Sequence, residues 1–71
     1  MQKPSIGRIV LFHEKGSEPA PAIITRVWSD FCVNMTVFKD AIAATPRTSV
    51  EYAEEGYEGG RHTYWNWPPR V

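Results

Sequence analysis

Glycine and proline residues divide this sequence into short apolar segments. Both residue types interrupt regular structure, because glycine leaves the backbone unusually free and proline has no N–H to donate. The segments between them are rich in β-branched and aromatic residues, which favour strands. No window of ten or more residues shows the apolar spacing of an amphipathic helix. The sequence therefore predicts five short strands, at 6–13, 22–28, 31–38, 48–52 and 62–67.

Two of these segments alternate as β-strands do, with successive side chains on opposite faces of the sheet. In the third segment the odd-numbered residues are apolar, and Asn34 and Thr36 lie on the opposite face. In the second segment, simple alternation places Arg26 on the same face as Ile24 and Trp28. Polar side chains at half-buried strand positions need hydrogen-bond partners. Another strand, another subunit or a ligand would supply them.

The connections between the predicted strands indicate the type of β-structure. Residues 14–21 form a long first loop, which its two prolines keep outside the sheet interior, and 29–30 form a tight hairpin turn. Residues 38–44 are one helical turn or a loop, and the glycine-rich, acidic 53–61 segment is a second loop. Five short strands in 71 residues predict a single all-β domain covering the whole chain, an SH3-like barrel, with an OB-like barrel as the alternative.

Size and charge narrow the classes of protein further. A chain of 71 residues buries only about 60% of its unfolded surface, and the single Cys32 excludes an intramolecular disulfide, so we predict a homo-oligomer. Eight Lys and Arg balance eight Asp and Glu, which argues against binding to a polynucleotide or a membrane surface. Without a signal peptide or an apolar run of roughly 20 residues, the sequence predicts a soluble, cytoplasmic protein.

Motifs of hydrolytic and nucleotide-processing enzymes are absent from the sequence. Cys32 lies in the middle of a predicted strand among apolar residues, where a free cysteine normally serves packing. Glu54, Glu55 and Glu58 are interpreted as a solvated face of the second loop. We therefore predict that the protein is not an enzyme and carries no cofactor or metal.

The last predicted strand contains a cluster of aromatic residues, Tyr64, Trp65 and Trp67. Alternation places both tryptophans on one face. There they close the core, form a dimer contact, or provide a platform on which a nucleobase stacks. In the second interpretation arginines meet a phosphate, and polar side chains read the base or ribose. The candidate ligand-binding residues are Trp65 and Trp28 for stacking, Arg26, Arg47 and Arg61 for phosphate, and Asn34, Thr36 and His62 for hydrogen bonding.

Four short motifs span most of the chain in a recognisable order. They are Gly7-Arg8-Ile9-Val10, Pro21-Ala22-Ile23-Ile24-Thr25, Val33-Asn34-Met35-Thr36 and Thr63-Tyr64-Trp65-Asn66-Trp67-Pro68. In this the chain resembles a group of small phage- and prophage-encoded proteins that open with G-R-I-V-H-Y and end in T-W-H-W-P-E. It departs from that group where Leu11-Phe12 replace His-Tyr, where Met35 replaces a proline, and where Asn66 replaces a histidine.

The resemblance implies a phage origin, and the chain is similar in scale to compact phage β-barrel proteins that bind and sequester host molecules, nucleotide immune signals included. The leading hypothesis is a non-enzymatic phage-type protein that sequesters a small phosphate-bearing ligand, such as a cyclic nucleotide defence signal. The alternative is a protein-interaction module or virion accessory protein that uses the terminal aromatic patch.

Overall fold

The computed structural model of the protein describes residues 3–54, 56–57 and 59–69. Five antiparallel strands form one sheet, and the described residues include no helix, hence none that could span a membrane. The strands are β1 (Ile9–Glu14), β2 (Ala20–Val27), β3 (Cys32–Val37), β4 (Thr45–Glu51) and β5 (Thr63–Asn66).

The strands are arranged in the order β4-β3-β2-β1-β5, so that four consecutive strands form a meander and the last strand returns to pair with the first. Phe12 lies opposite Ala20 of β2 on one side and opposite Trp65 of β5 on the other. The sheet curls until the end of β4 reaches β5, where Tyr52 forms a bridge with Trp65 and the Ala53 N–H donates to the Trp65 carbonyl at 3.0 Å. The predicted fold class is confirmed: this is a small, curled SH3/OB-like β-structure.

The core lies on the concave side of the curled sheet and follows the predicted alternation in β3. Trp65 is fully buried at its centre and packs with Phe12. The odd-numbered residues of β3 are buried, and Asn34 and Thr36 are half-buried on the other face. The buried apolar cluster consists of Val10, Phe12, Ala20, Ala22, Ile24, Val33, Met35, Val37, Val50 and Trp65.

Two register shifts change the faces that simple alternation predicts. One lies in β2 between Ile24 and Arg26, and the other lies in β4 opposite the Val33–Met35 step of β3. An extra residue in one strand reverses the inward and outward positions beyond it. Ile24 is therefore buried whereas Arg26 is exposed, which corrects the expectation that these two residues share a face.

Several boundaries differ from the predicted ones for local reasons. β1 begins at Ile9 rather than residue 6, because Gly7 adopts a φ of +90° in a turn. β2 includes Pro21, whose carbonyl accepts a hydrogen bond from Phe38 at 2.9 Å, so the first loop is shorter than 14–21. β4 begins at Thr45 and includes Pro46, which is tolerated because β4 is an edge strand. The 38–44 segment is a loop with a turn rather than a helix.

Candidate ligand-binding cleft

A cleft of about 360 Å³ opens where the end of β1 meets the start of β5. Its wall combines residues from β1, from the first loop and from the segment that leads into β5. We call this the β1–β5 cleft. It is lined by His13, Glu14, Lys15, Gly16, Ser17, Tyr57, Gly59, Arg61 and Tyr64.

Aromatic rings form one wall of the β1–β5 cleft. The strand register places His13 opposite Tyr64, and the two rings stack with centroids 4.6 Å apart and planes 3° apart. Tyr57 meets Tyr64 edge to face at 5.0 Å. The His13 Nε2–H donates to the Oδ1 of buried Asn66 at 2.8 Å. The stack is thus held in a fixed orientation from within the protein, and pre-organised rings of this kind suit a flat ligand.

Charged side chains gather around Glu14, which ends β1. Lys39 Nζ lies 2.7 Å from Glu14 Oε1, Arg47 Nη2 lies 2.9 Å from Oε2, and His62 Nε2 lies 3.7 Å from Oε2. We call these four residues the Glu14 cluster. They come from β1, from the 38–44 loop, from β4 and from the segment before β5. The cluster therefore closes one end of the barrel, beside the cleft that Glu14 also lines.

The cationic neighbours control the ionisation of Glu14. The hydrogen bond from Lys39 lowers the pKa of the Glu14 carboxyl below its usual value, and the positive charges of Lys39, Arg47 and His62 act in the same direction against desolvation. Glu14 is therefore ionised at neutral pH. The cluster contains two permanent cations, a histidine and one carboxylate, so its net charge is positive.

Two further basic residues border the β1–β5 cleft. Arg61 lies with its guanidinium carbon 5.6 Å from the Tyr57 ring centroid, and its Nη1–H donates to the Tyr52 carbonyl at 2.9 Å. Lys15 is tied to the segment before β5, because its backbone N–H donates to the His62 carbonyl at 2.8 Å. The Arg61 side chain and the Lys15 backbone are therefore held beside the aromatic wall.

Three of the predicted ligand-binding residues, Arg47, Arg61 and His62, come together at this end of the barrel. Arg47 and His62 contact Glu14, and Arg61 lines the cleft. Thr36 lies elsewhere, on the outer face of the sheet opposite Ile23 and Pro46.

Arg26, Trp28 and Asn34 form a separate group at the β2–β3 hairpin. The Arg26 guanidinium carbon lies 3.9 Å from the Trp28 ring centroid, and the Trp28 indole N–H donates to Asn34 Oδ1 at 2.9 Å. The same Asn34 oxygen accepts from the Ser49 backbone N–H at 2.8 Å. The amide oxygen of Asn34 is therefore satisfied within the protein. None of these three side chains lines the β1–β5 cleft.

Trp65 occupies the core rather than a binding surface. Its side chain is fully buried, its indole N–H donates to the Phe31 carbonyl at 3.0 Å, and its ring meets Tyr52 and Trp67 edge to face at 5.1 Å and 5.3 Å. No ring face is left for a ligand, which corrects the expectation that Trp65 stacks on a base. Trp67 is partly buried against the same core, under the Arg8 guanidinium.

The cleft also contains residues that sequence reasoning missed. Glu14 and Lys15 were not singled out, and neither was Lys39 of the adjoining Glu14 cluster, because charged residues at strand ends and in loops are common on any surface. Tyr64 was noted as part of the aromatic cluster but was not selected as a binding residue, and Tyr57 lies in the second loop. These residues come together because His13 of β1 pairs with Tyr64 of β5. A single sequence does not show which distant strands pair.

Comparison of this chain with protein-family models, with curated proteins and with solved structures finds no match. Within residues 3–54, 56–57 and 59–69, no three His, Cys, Asp or Glu side chains are grouped so as to hold a metal ion. The properties of the site are therefore argued from its own residues.

Proposed function

We propose that this protein is a non-enzymatic binding protein that sequesters a small phosphate-bearing ligand in the β1–β5 cleft. The observation that carries the proposal is the presence of stacked aromatic rings, an anchored arginine and a lysine in one cleft. A nucleotide needs both, because its base stacks on a ring and its phosphate pairs with a cation. The cleft volume of about 360 Å³ lies within the range of about 300–1,000 Å³ that is usual for small-molecule sites.

The proposed roles follow from position in the cleft. The face of the stacked His13–Tyr64 pair and the ring of Tyr57 receive the base. Arg61 and Lys15 border the same space and meet the phosphate. A phage-encoded protein of this kind would act stoichiometrically in the host cytoplasm: it would bind a signal nucleotide and so keep it from its receptor. Self-association of the chain is part of the proposal, since a partner subunit stabilises so small a core.

A thermal-shift and calorimetric screen tests this function. Cyclic di- and trinucleotides, mononucleotides and ADP-ribose derivatives are added to the purified chain, and the oligomeric mass is measured in parallel. Binding should raise the melting temperature, and the ligand recovered after heating should be chemically unchanged. A recovered product would indicate an enzyme, and the lack of any shift across the panel would refute the proposal.

Paired variants locate the site. Arg61→Gln removes a cation from the cleft, whereas Arg26→Gln removes one at the β2–β3 hairpin, outside the cleft. Losing one charge-assisted hydrogen bond of about 1.5–3 kcal/mol corresponds to a loss of affinity of about tenfold or more. We expect this loss for Arg61→Gln and less than a twofold change for Arg26→Gln. Equal losses would place the ligand elsewhere.

A second candidate function is a protein-interaction module, and one observation favours it. At the β2–β3 hairpin, Trp28 and Phe31 are 54% and 55% exposed, yet Trp28 is fixed by Arg26 and Asn34. Rigid tryptophan and arginine side chains are typical of interface hot spots. The surface in question is this hairpin and not the terminal tryptophans, which pack against the core. Trp28→Ala should then abolish pull-down of a virion or host protein while leaving nucleotide binding unchanged.

A further inference from the structure

The Glu14 cluster carries more positive charge than its own carboxylate neutralises. Lys39 and Arg47 are permanent cations, and His62 adds a third when it is protonated, against one carboxylate. The chain as a whole has eight basic and eight acidic residues, so this excess is local. It lies beside the β1–β5 cleft, because Glu14 belongs to both.

The cations of the cluster retain donors that Glu14 does not use. Each Glu14 carboxylate oxygen accepts one hydrogen bond, from Lys39 at 2.7 Å and from Arg47 at 2.9 Å. A lysine ammonium has three N–H donors and an arginine guanidinium has five. The side chains of Lys39, Arg47 and His62 are 32%, 38% and 70% exposed, whereas that of Glu14 is only 16% exposed. All three side chains are therefore partly exposed beside a mostly covered carboxylate.

A group with several clustered negative oxygens fits this arrangement better than a single charge. A phosphate monoester carries about −1.5 to −2 charges at neutral pH and three terminal oxygens. An isolated phosphodiester carries one charge and two terminal oxygens. The cluster presents donors on three side chains, Lys39, Arg47 and His62, around one carboxylate, which matches the three terminal oxygens of the monoester.

We infer that the Glu14 cluster binds a terminal phosphate or diphosphate, so that the ligand of this protein is a nucleotide ending in a phosphate monoester rather than one with isolated diesters only. This inference rests on the proposed function and specifies its ligand. The base lies on the Tyr64 side of the β1–β5 cleft, and the terminal phosphate meets Lys39, Arg47 and His62 at its edge.

Calorimetry with AMP, ADP, 3′,5′-cyclic AMP, adenosine and inorganic pyrophosphate tests the inference at constant pH and ionic strength. AMP and ADP should bind at least about tenfold more tightly than cyclic AMP, since at least one additional charge-assisted hydrogen bond forms. Cyclic AMP binding as tightly as AMP would overturn the inference and leave the proposed function intact. Failure of all four adenine compounds and of pyrophosphate would overturn the inference, whereas the proposed function falls only when no member of the wider nucleotide panel binds. Pyrophosphate binding alone would retain the phosphate assignment without the base site.

Two variants of the Glu14 cluster make the test independent of folding failure. Lys39→Gln should weaken AMP binding by about tenfold and change cyclic AMP binding by less than twofold, with Arg26→Gln as the matched control. Glu14→Gln removes the competing negative charge, so AMP should bind several-fold more tightly. A gain of affinity does not arise from a damaged fold. Weaker AMP binding by folded Glu14→Gln, shown by an unchanged circular dichroism spectrum, would overturn the inference.

Discussion

Replacement of Trp65 tests whether this small sheet depends on one residue for its core. The side chain is fully buried, and its indole N–H donates to the Phe31 carbonyl at 3.0 Å. Truncating a buried tryptophan to alanine costs about 3–5 kcal/mol. At about 0.05–0.15 kcal/mol per residue, the 71 residues give a total stability of about 4–11 kcal/mol. Trp65→Ala should therefore remove much of the free energy of unfolding.

A graded pair separates packing from hydrogen bonding at the same position. Trp65→Phe keeps an aromatic ring but removes the hydrogen bond to the Phe31 carbonyl, which still accepts from the Tyr52 N–H at 2.7 Å, so we expect a loss of about 0.5–1.5 kcal/mol from that hydrogen bond, besides the loss of ring volume. With a urea m-value of about 1 kcal/mol/M for a small domain, the hydrogen bond alone moves the unfolding midpoint by about 0.5–1.5 M. Trp28→Ala is the matched control, because Trp28 is 54% exposed and its loss should cost about 1 kcal/mol.

Urea unfolding followed by far-UV circular dichroism measures all three variants without relying on the fluorescence of the residue that is replaced. The order of stability should be Trp28→Ala, then Trp65→Phe, then Trp65→Ala. If Trp65→Ala unfolded within 1 kcal/mol of the unmodified chain, or if Trp28→Ala were the more damaging change, the assignment of Trp65 to the core would be refuted.

Three other predictions concern ionisation and polar contacts. Because the pKa of Glu14 is lowered in the folded protein, its ionised carboxylate stabilises the fold above the unfolded-state pKa, and this stabilisation is lost as pH falls through the folded-state pKa. Thermal melts from pH 7 to pH 3 should show a falling melting temperature, and Glu14→Gln should make that fall smaller. Asn34→Ala removes the acceptor that the Trp28 and Ser49 N–H groups share. Both hydrogen bonds are exposed, so water replaces the acceptor and the cost in urea titrations should be about 0.5–1.5 kcal/mol; Asn34→Asp, which keeps an acceptor, should cost less. Burial raises the pKa of the Cys32 thiol, so its reaction with a disulfide reagent at pH 7.5 should be slower than that of free cysteine and should accelerate on unfolding; an equal rate in the folded chain would contradict its placement.

The fold was predictable from the sequence because local patterns dominate in strands that alternate cleanly. In β3 the buried Val33, Met35 and Val37 follow period two without interruption. In β2 the same rule failed beyond Ile24, because a bulge depends on how two strands pair and not on either strand alone. Strand ends that contain proline were also missed, because edge positions become known only from the sheet order.

The candidate site was only partly predictable, for a related reason. Arg47, Arg61 and His62 were selected for their chemistry, and the structure brings them to one end of the barrel. What joins them is Glu14, which lies 33 residues from Arg47 in sequence. A contact of this range is set by the curl of the whole sheet. Sequence reasoning therefore finds suitable residue types but not the acid that organises them.

The two ends of the barrel differ in how their polar groups are satisfied, and this difference decides where a ligand belongs. At the hairpin end, Asn34 accepts from both Trp28 and Ser49, so its acceptor is already occupied. At the other end, Lys39 and Arg47 share the carboxylate of Glu14 and are both partly exposed. Several cations grouped beside an aromatic cleft gain free energy from an arriving anion, whereas an acceptor that is already occupied offers an anion nothing. A small anionic ligand should therefore bind at the Glu14 end of the barrel. The exposed β2–β3 hairpin is better suited to contacts with another protein.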